Sequence, residues 1–166
     1  MRPVIIYYSL EGNTDYAADR IARVLYAGTL RLTPKKAYRD KGFLKFFLGG
    51  KSSVMKESPA LMDSRADISQ YDTVIFGSPV WAASFAPPLR TFISENRDAL
   101  KGKAIAAFVC ESGSGGEKAL ARLKELLGTD AFISEAVFID PLSRRSEKTD
   151  EIIDGFAARI SGGSQE

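Results

Sequence analysis

Short apolar runs alternate with stretches of helical periodicity along this 166-residue chain, and that alternation restricts the folds open to it. The strongest run is Val4-Ile5-Ile6-Tyr7-Tyr8, rich in β-branched and aromatic residues and closed at once by polar residues and glycine. Such a run reads as a strand buried on both faces. Residues 71–77, 104–110 and 132–139 read the same way, and Leu30-Arg31-Leu32 is a weaker strand closed by Pro34. Between them, Tyr16, Ala17, Ala18, Ile21, Ala22, Val24 and Leu25 recur at helical spacing over residues 14–25, with Gly28 as the turn that follows. Pro87-Pro88 opens a helix to about Asn96, and residues 117–127 and 150–160 supply two more. Strands that alternate with helices predict a parallel sheet covered on both faces, with right-handed crossovers. The expectation is a three-layer α/β sandwich: five parallel strands in the order 2-1-3-4-5, ligands meeting their carboxyl ends. It forms one domain over residues 1–166. Residues 161–166 are expected to fray, and residues 35–59 to form an irregular basic insert holding a short helix.

Composition removes several kinds of chemistry. The chain has no histidine and one cysteine, Cys110. A Ser-His-Asp triad, a Cys-His pair, a histidine-ligated metal and an intrachain disulfide are therefore excluded. Redox chemistry in such a chain needs an organic cofactor. No apolar run reaches the roughly 20 residues of a membrane helix, and the N-terminal apolar stretch is too short for a signal peptide, so a cytoplasmic location is expected. The net charge of +2 argues against nucleic-acid binding.

Three constellations follow predicted strands and so fall at one edge of the sheet. Ser9-Leu10-Glu11-Gly12-Asn13-Thr14 lies between a buried strand and a helix start. Backbone N–H groups and the positive helix end converge there, the hydroxyls of Ser9 and Thr14 add donors, and Gly12 lets the backbone approach an anion. A plain turn with Thr14 as cap explains the same residues if they are taken alone. Ser78-Pro79-Val80-Trp81-Ala82 places the sole tryptophan among small residues, where its ring can stack on a flat ring or cap the core. Glu111-Ser112-Gly113-Ser114-Gly115-Gly116 leaves its backbone open to a ligand. Cys110 ends its strand as a small buried apolar residue, and Arg144-Arg145 reads as surface.

Together these segments resemble the flavodoxin family, over residues 4–160, most specifically in residues 8–14 and 77–81. The resemblance implies a flavodoxin-like fold, FMN as cofactor and electron transfer. Residues 9–14 would hold the phosphate, residues 78–82 the isoalloxazine with Trp81 beside the ring, and Glu111, Ser112, Gly113, Gly115 and Gly116 its other edge. No side chain is expected to act as a covalent catalyst. The implied partner is a redox protein or NAD(P)H, the latter reducing a quinone-like acceptor; a homodimer stays open.

Three departures from the family pattern matter. Its phosphate motif, Ser/Thr-x-Thr-Gly-x-Thr, is matched at Ser9, Gly12 and Thr14, but Glu11 replaces a threonine. A carboxylate repels phosphate, so Glu11 is expected to turn outward and offer only its backbone N–H. The loop at 111–116 has no aromatic residue to cover a flavin face. Electron-carrier flavodoxins are acidic, whereas Lys35, Lys36, Arg39, Lys41, Lys45, Lys51 and Lys56 crowd one segment with Phe43, Phe46 and Phe47. That segment reads as a solvated helix packed through its phenylalanines, or as a docking surface for an acidic partner. Two folds of the same class bind no flavin. A phospho-receiver needs aspartates at the ends of strands that here end in Tyr8-Ser9 and Gly77-Ser78. An interaction module of the same fold that takes up no flavin is the remaining alternative.

Overall fold

The computed structural model describes residues 1–38 and 56–162. Its strands are β1 (Pro3–Tyr7), β2 (Gly28–Arg31), β3 (Thr73–Trp81), β4 (Ser84–Phe85), β5 (Ala104–Glu111) and β6 (Glu135–Ile139). Its helices are α1 (Asn13–Leu25), α2 (Pro87–Glu95), α3 (Arg97–Leu100), α4 (Gly116–Leu127) and α5 (Glu147–Gly162). The main sheet runs β2-β1-β3-β5-β6, all parallel, and β4 pairs antiparallel with the end of β3. Without that short addition the order is the expected 2-1-3-4-5.

Alternation along the central strands builds two cores. Val4, Ile6 and Tyr8 join Val74, Phe76, Ala107 and Val109 on one face, under α2 and α4. Ile5 and Tyr7 join Ile75, Ala106, Phe108 and Cys110 on the other, under α1 and α5. Both faces are buried, which is why these strands read as continuous apolar runs rather than as alternating ones. On the second face Arg20 forks onto Asp154 at 2.7 Å through two nitrogens and reaches Asp150 at 3.0 Å, tying α1 to α5.

The structure departs from the sequence expectation at several boundaries. β3 does not stop at Gly77 but continues to Trp81, because Ala82 and Ala83 (φ 47° and 55°) turn the chain straight into β4. The turn after α1 is made by Tyr26, left-handed at φ 52°, and Gly28 already pairs with Val4 as the first residue of β2. The last strand starts at Glu135 rather than Phe132, and α5 starts earlier than expected and continues through Gly162. Residues 161–162 are therefore helical, while the rest of the expected frayed tail lies outside the described residues. Of the basic insert, Arg39, Lys41, Lys45, Lys51 and the three phenylalanines lie outside them too. The two ends of the insert are joined: Pro34 bridges Leu61, the Lys35 N–H donates to the Ala60 carbonyl at 2.8 Å, and the Met62 N–H to that of Thr33 at 2.8 Å.

Candidate functional site

The loops after β1, β3, β5 and β6 meet at the carboxyl edge of the sheet around a cleft of about 520 Å³. That volume is of the size that holds a small-molecule cofactor. Of the residues expected at a site, Ser9, Leu10, Glu11, Asn13 and Thr14 line it, with Pro79, Val80, Trp81 and Ala82 from the hairpin and Glu111, Ser112 and Gly113 from the β5 loop.

The first loop is built to present donors. The Ser9 hydroxyl, 4% exposed, accepts the N–H groups of Gly12 and Asp15, each at 3.2 Å, and so folds the loop over the start of α1. Gly12 caps the helix in the left-handed region at φ 96°. A Cβ there would sit 3.0 Å from the exposed tip of Leu142, which can give way, so it is the left-handed conformation that favours glycine. Among the described residues, the N–H groups of Leu10, Glu11, Asn13 and Thr14 have no acceptor. Four unsatisfied donors at the positive end of a 13-residue helix form an anion cradle. Glu11 is exposed, as expected, though it still lines the cleft. The Asn13 side chain is committed elsewhere: its Oδ1 accepts the Leu142 N–H at 2.9 Å and fastens the β6 loop to this one.

Arg31, at the end of β2, is a contributor that sequence reasoning missed. It donates to the Ser9 carbonyl at 3.1 Å and pairs with Asp15 at 3.2 Å. This places a cation directly behind the cradle. The signal was available in its position, since the last residue of a parallel strand next to β1 must end beside the β1 loop.

The hairpin supplies the aromatic wall. Trp81 packs edge-on against Tyr8 and Tyr38, with both ring centroids at 5.5 Å. Ser78 supports the hairpin from below and does not line the cleft: fully buried, it accepts the Ala86 N–H at 2.8 Å and donates to the Pro79 carbonyl at 2.9 Å. Arg122 braces the turn from α4 through the Ala83 carbonyl at 3.1 Å.

The β5 loop divides in two. Glu111 Oε2 accepts the Gly116 N–H at 2.7 Å and caps α4. Gly115 (φ 104°) and Gly116 lie away from this cleft. A Cβ on the first would meet the Ala83 Cα at 2.9 Å, and one on the second the Val137 Cγ1 at 2.6 Å. The Ser112 hydroxyl donates to Asp140 at 2.6 Å. Asp140 is the second residue that sequence reasoning missed. It follows β6, is 8% exposed in the cleft wall, stands at φ 42° and pairs with Arg144 at 3.2 Å. Cys110 is buried beneath, its thiol pushed up to about 12 by burial, against a hydrogen bond from Thr14 and with a contribution from Asp140. It packs as a small buried apolar residue in the wall of the cleft, as its sequence position suggested. Three carboxylates and no cation line the cleft, so an anion is favoured only at the loop N–H groups.

A flavodoxin family model matches residues 2–148. The chain belongs to the flavodoxin family. No curated protein sequence matches this flavodoxin-family chain. Its fold is similar to that of a Bacteroides eggerthii DSM 20697 protein, with 24% identity over 94% of this chain and 98% of that one and a TM-score of 0.74. It is similar to a flavoprotein of Lactobacillus acidophilus NCFM solved in complex with FMN, with 19% identity, coverage of 94% and 98% and a TM-score of 0.68. It is similar also to oxidised Flavodoxin 1 of Bacillus cereus, with 19% identity, 98% of each chain and a TM-score of 0.60.

Proposed function

We propose that this flavodoxin-family chain binds FMN in the cleft and serves as a redox protein. The observation that carries the reading is the cradle of four unsatisfied N–H groups opening into a cleft with an aromatic wall. The phosphate monoester suits the N–H groups of Leu10, Glu11, Asn13 and Thr14, with the Thr14 hydroxyl beside them and the Arg31 charge behind. The free N–H of Glu11 fits the expectation that its backbone replaces the missing threonine hydroxyl. The flat ring suits the space between residues 79–82 and the loop at 111–114, which carries no aromatic cover. A neutral ring also suits the carboxylate-lined remainder of the cleft better than a second phosphate would. FMN held there would supply the electron-transfer chemistry. The chain's own residues hold the phosphate, fix the ring and set the charge around it.

The donor is a redox protein or NAD(P)H, and the acceptor a partner protein or a quinone-like molecule. Titration of the purified protein with FMN and with riboflavin tests the reading. FMN is expected to bind at least tenfold more tightly, because only FMN uses the cradle. Equal affinities would remove the phosphate role, and no uptake of either would leave the flavin-free interaction module. Anaerobic mixing of the loaded protein with NADPH or NADH separates a nicotinamide-dependent reductase, whose flavin absorbance bleaches at once, from a carrier, whose absorbance does not.

A further inference from the structure

β6 is the last strand of the sheet and pairs only with β5, which leaves one edge open. The Ser134 carbonyl accepts the Ala107 N–H at 3.1 Å and the Asp140 N–H donates to the Glu111 carbonyl at 2.9 Å, so the even positions face β5. The backbone groups of Glu135, Val137 and Ile139 therefore point outward, and among the described residues nothing pairs with them. The strand lacks the usual guards of an open edge. It has no proline, lysine or arginine, and its single charge, Glu135, is drawn towards α4 by Lys124 at 2.6 Å. The opposite edge, β2, has four residues and ends on Arg31. We propose that two copies of this chain pair antiparallel along β6, about a two-fold axis normal to the sheet at Ala136. The proposal does not rest on the flavin reading.

The surroundings of the edge are apolar and self-complementary. Of the eight large apolar side chains exposed among the described residues, Ile133, Ile139 and Ile152 lie beside it. Outward groups meet outward groups in several registers, and the one centred on Ala136 sets Ile139 of each copy opposite Ile133 of the other. The flanking helices fit the same axis. In α4, Lys124 marks the flank turned to the edge, and Arg122, held on the Ala82 and Ala83 carbonyls, marks the flank turned away. Glu117 and Ala121 share the flank of Lys124 at helical spacing. The two-fold reverses this row in the second copy, so Glu117 faces Lys124 twice, across the small Ala121. In α5, Asp150 and Asp154 face α1 through Arg20. Ile152, Gly155 and Arg159 therefore lie on the other flank, turned to the edge on the opposite face of the sheet. A foreign strand can pair with the backbone of β6, but the matched isoleucines and opposite charges are met in full only by a second copy.

Sedimentation over a concentration series, with and without FMN, tests the pairing. The expected result is a monomer–dimer equilibrium. Ile139→Glu and Ile152→Glu, both at exposed positions, should each weaken it about tenfold or more and leave FMN uptake as in the parent. The register is read by the double variant Ile133→Cys/Ile139→Cys. Within one extended strand these positions are about 20 Å apart, too far for a disulfide, whereas opposite each other in the paired edge their Cα atoms are about 5.5 Å apart. Oxidation by copper–phenanthroline should give disulfide-linked dimers of the double variant and far fewer of either single variant. Cys110 is buried and takes no part. A monomer at every concentration up to about 1 mM would overturn the proposal and leave the edge to a strand of another protein. Association unchanged within about twofold in both glutamate variants, or cross-linking no greater in the double variant than in the singles, would overturn it as well. A dimer that takes up no FMN would uphold this pairing and remove the flavin reading alone.

Discussion

Gly77→Ala tests how closely the sheet beneath the cleft is packed. Gly77 lies in β3 between β1 and β5, four residues before Trp81, and is buried. Its φ is ordinary, so the cost of a Cβ comes from space alone. That atom would sit 2.4 Å from Phe108 Cζ, 2.8 Å from Phe108 Cε1 and 2.9 Å from Tyr7 Cβ. Carbon contacts settle at about 3.5–4.0 Å, so the Phe108 ring must move by about 1 Å. It has no room to do so: it is fully buried, with Phe138 at 5.6 Å and Phe156 at 6.1 Å between centroids. Overpacking of this kind costs about 3 kcal/mol at the upper end of its range. The stiffer unfolded chain returns about 0.5–1 kcal/mol. The net loss is then about 2 kcal/mol, a fall of roughly 4–8 °C in Tm for a domain of this size. Phe108→Leu alone should cost about 1.5 kcal/mol. Because it removes the ring atoms that clash, the double variant should be about 1–2 kcal/mol more stable than the sum of the singles implies. The Tyr7 contact remains and keeps the rescue partial. Urea unfolding followed by circular dichroism measures all four corners. Additivity within about 0.5 kcal/mol would refute the assignment of strain to this pair.

Two further outcomes follow from the buried tyrosines and from the first loop. Burial, with the Asp15 carboxylate adding, pushes Tyr7 up to about 12, burial with Glu57 does the same for Tyr38, and burial raises Tyr8 further. Their folded pKa values lie above the unfolded value near 10, so their contribution to stability is complete below pH ~10 and is lost as pH rises towards 12. Near-ultraviolet titration should find these phenols ionising late or with alkaline unfolding, and ionisation of every tyrosine by about pH 11 in still-folded protein would contradict the burial argument. Ser9→Ala removes the oxygen that holds the Gly12 and Asp15 N–H groups, and should cost about 1 kcal/mol in urea unfolding and at least tenfold in FMN affinity.

The fold was legible because the two-sided burial of β1, β3 and β5 writes itself directly into sequence as unbroken apolar runs. The loop at residues 9–14 was legible as a cluster of backbone donors for a related reason: small polar residues between a buried strand and a helix have few structural roles, and such a cluster needs no particular side chain. What escaped were features set by tertiary contact. Nothing local marks β3 as continuing to Trp81, because Ala82-Ala83 lacks the glycine or asparagine that usually announces a two-residue hairpin. Two alanines in the left-handed region cost about 1 kcal/mol each, and the cost is met by contacts distant in sequence, from Arg122 to both carbonyls and from Gly115 packed on Ala83. Arg31 and Asp140 escaped because a strand's last residue gains meaning only once the strand order places it beside a particular loop.

The same contrast separates the residues that would touch a ligand from those that shape the cleft. Ser78, Glu111 and Asn13 were expected at the cofactor as members of its three loops, and the side chain of each hydrogen-bonds to the protein instead: Ser78 to the hairpin, Glu111 to the N-terminus of α4, Asn13 to the β6 loop. What they leave free is backbone, and backbone donors fixed by such side chains cost no reordering when an anion arrives. If FMN binds as proposed, Glu11 is tolerated where a hydroxyl is usual because the position has only to supply its N–H, the exposed carboxylate keeping to the solvent side of the cleft.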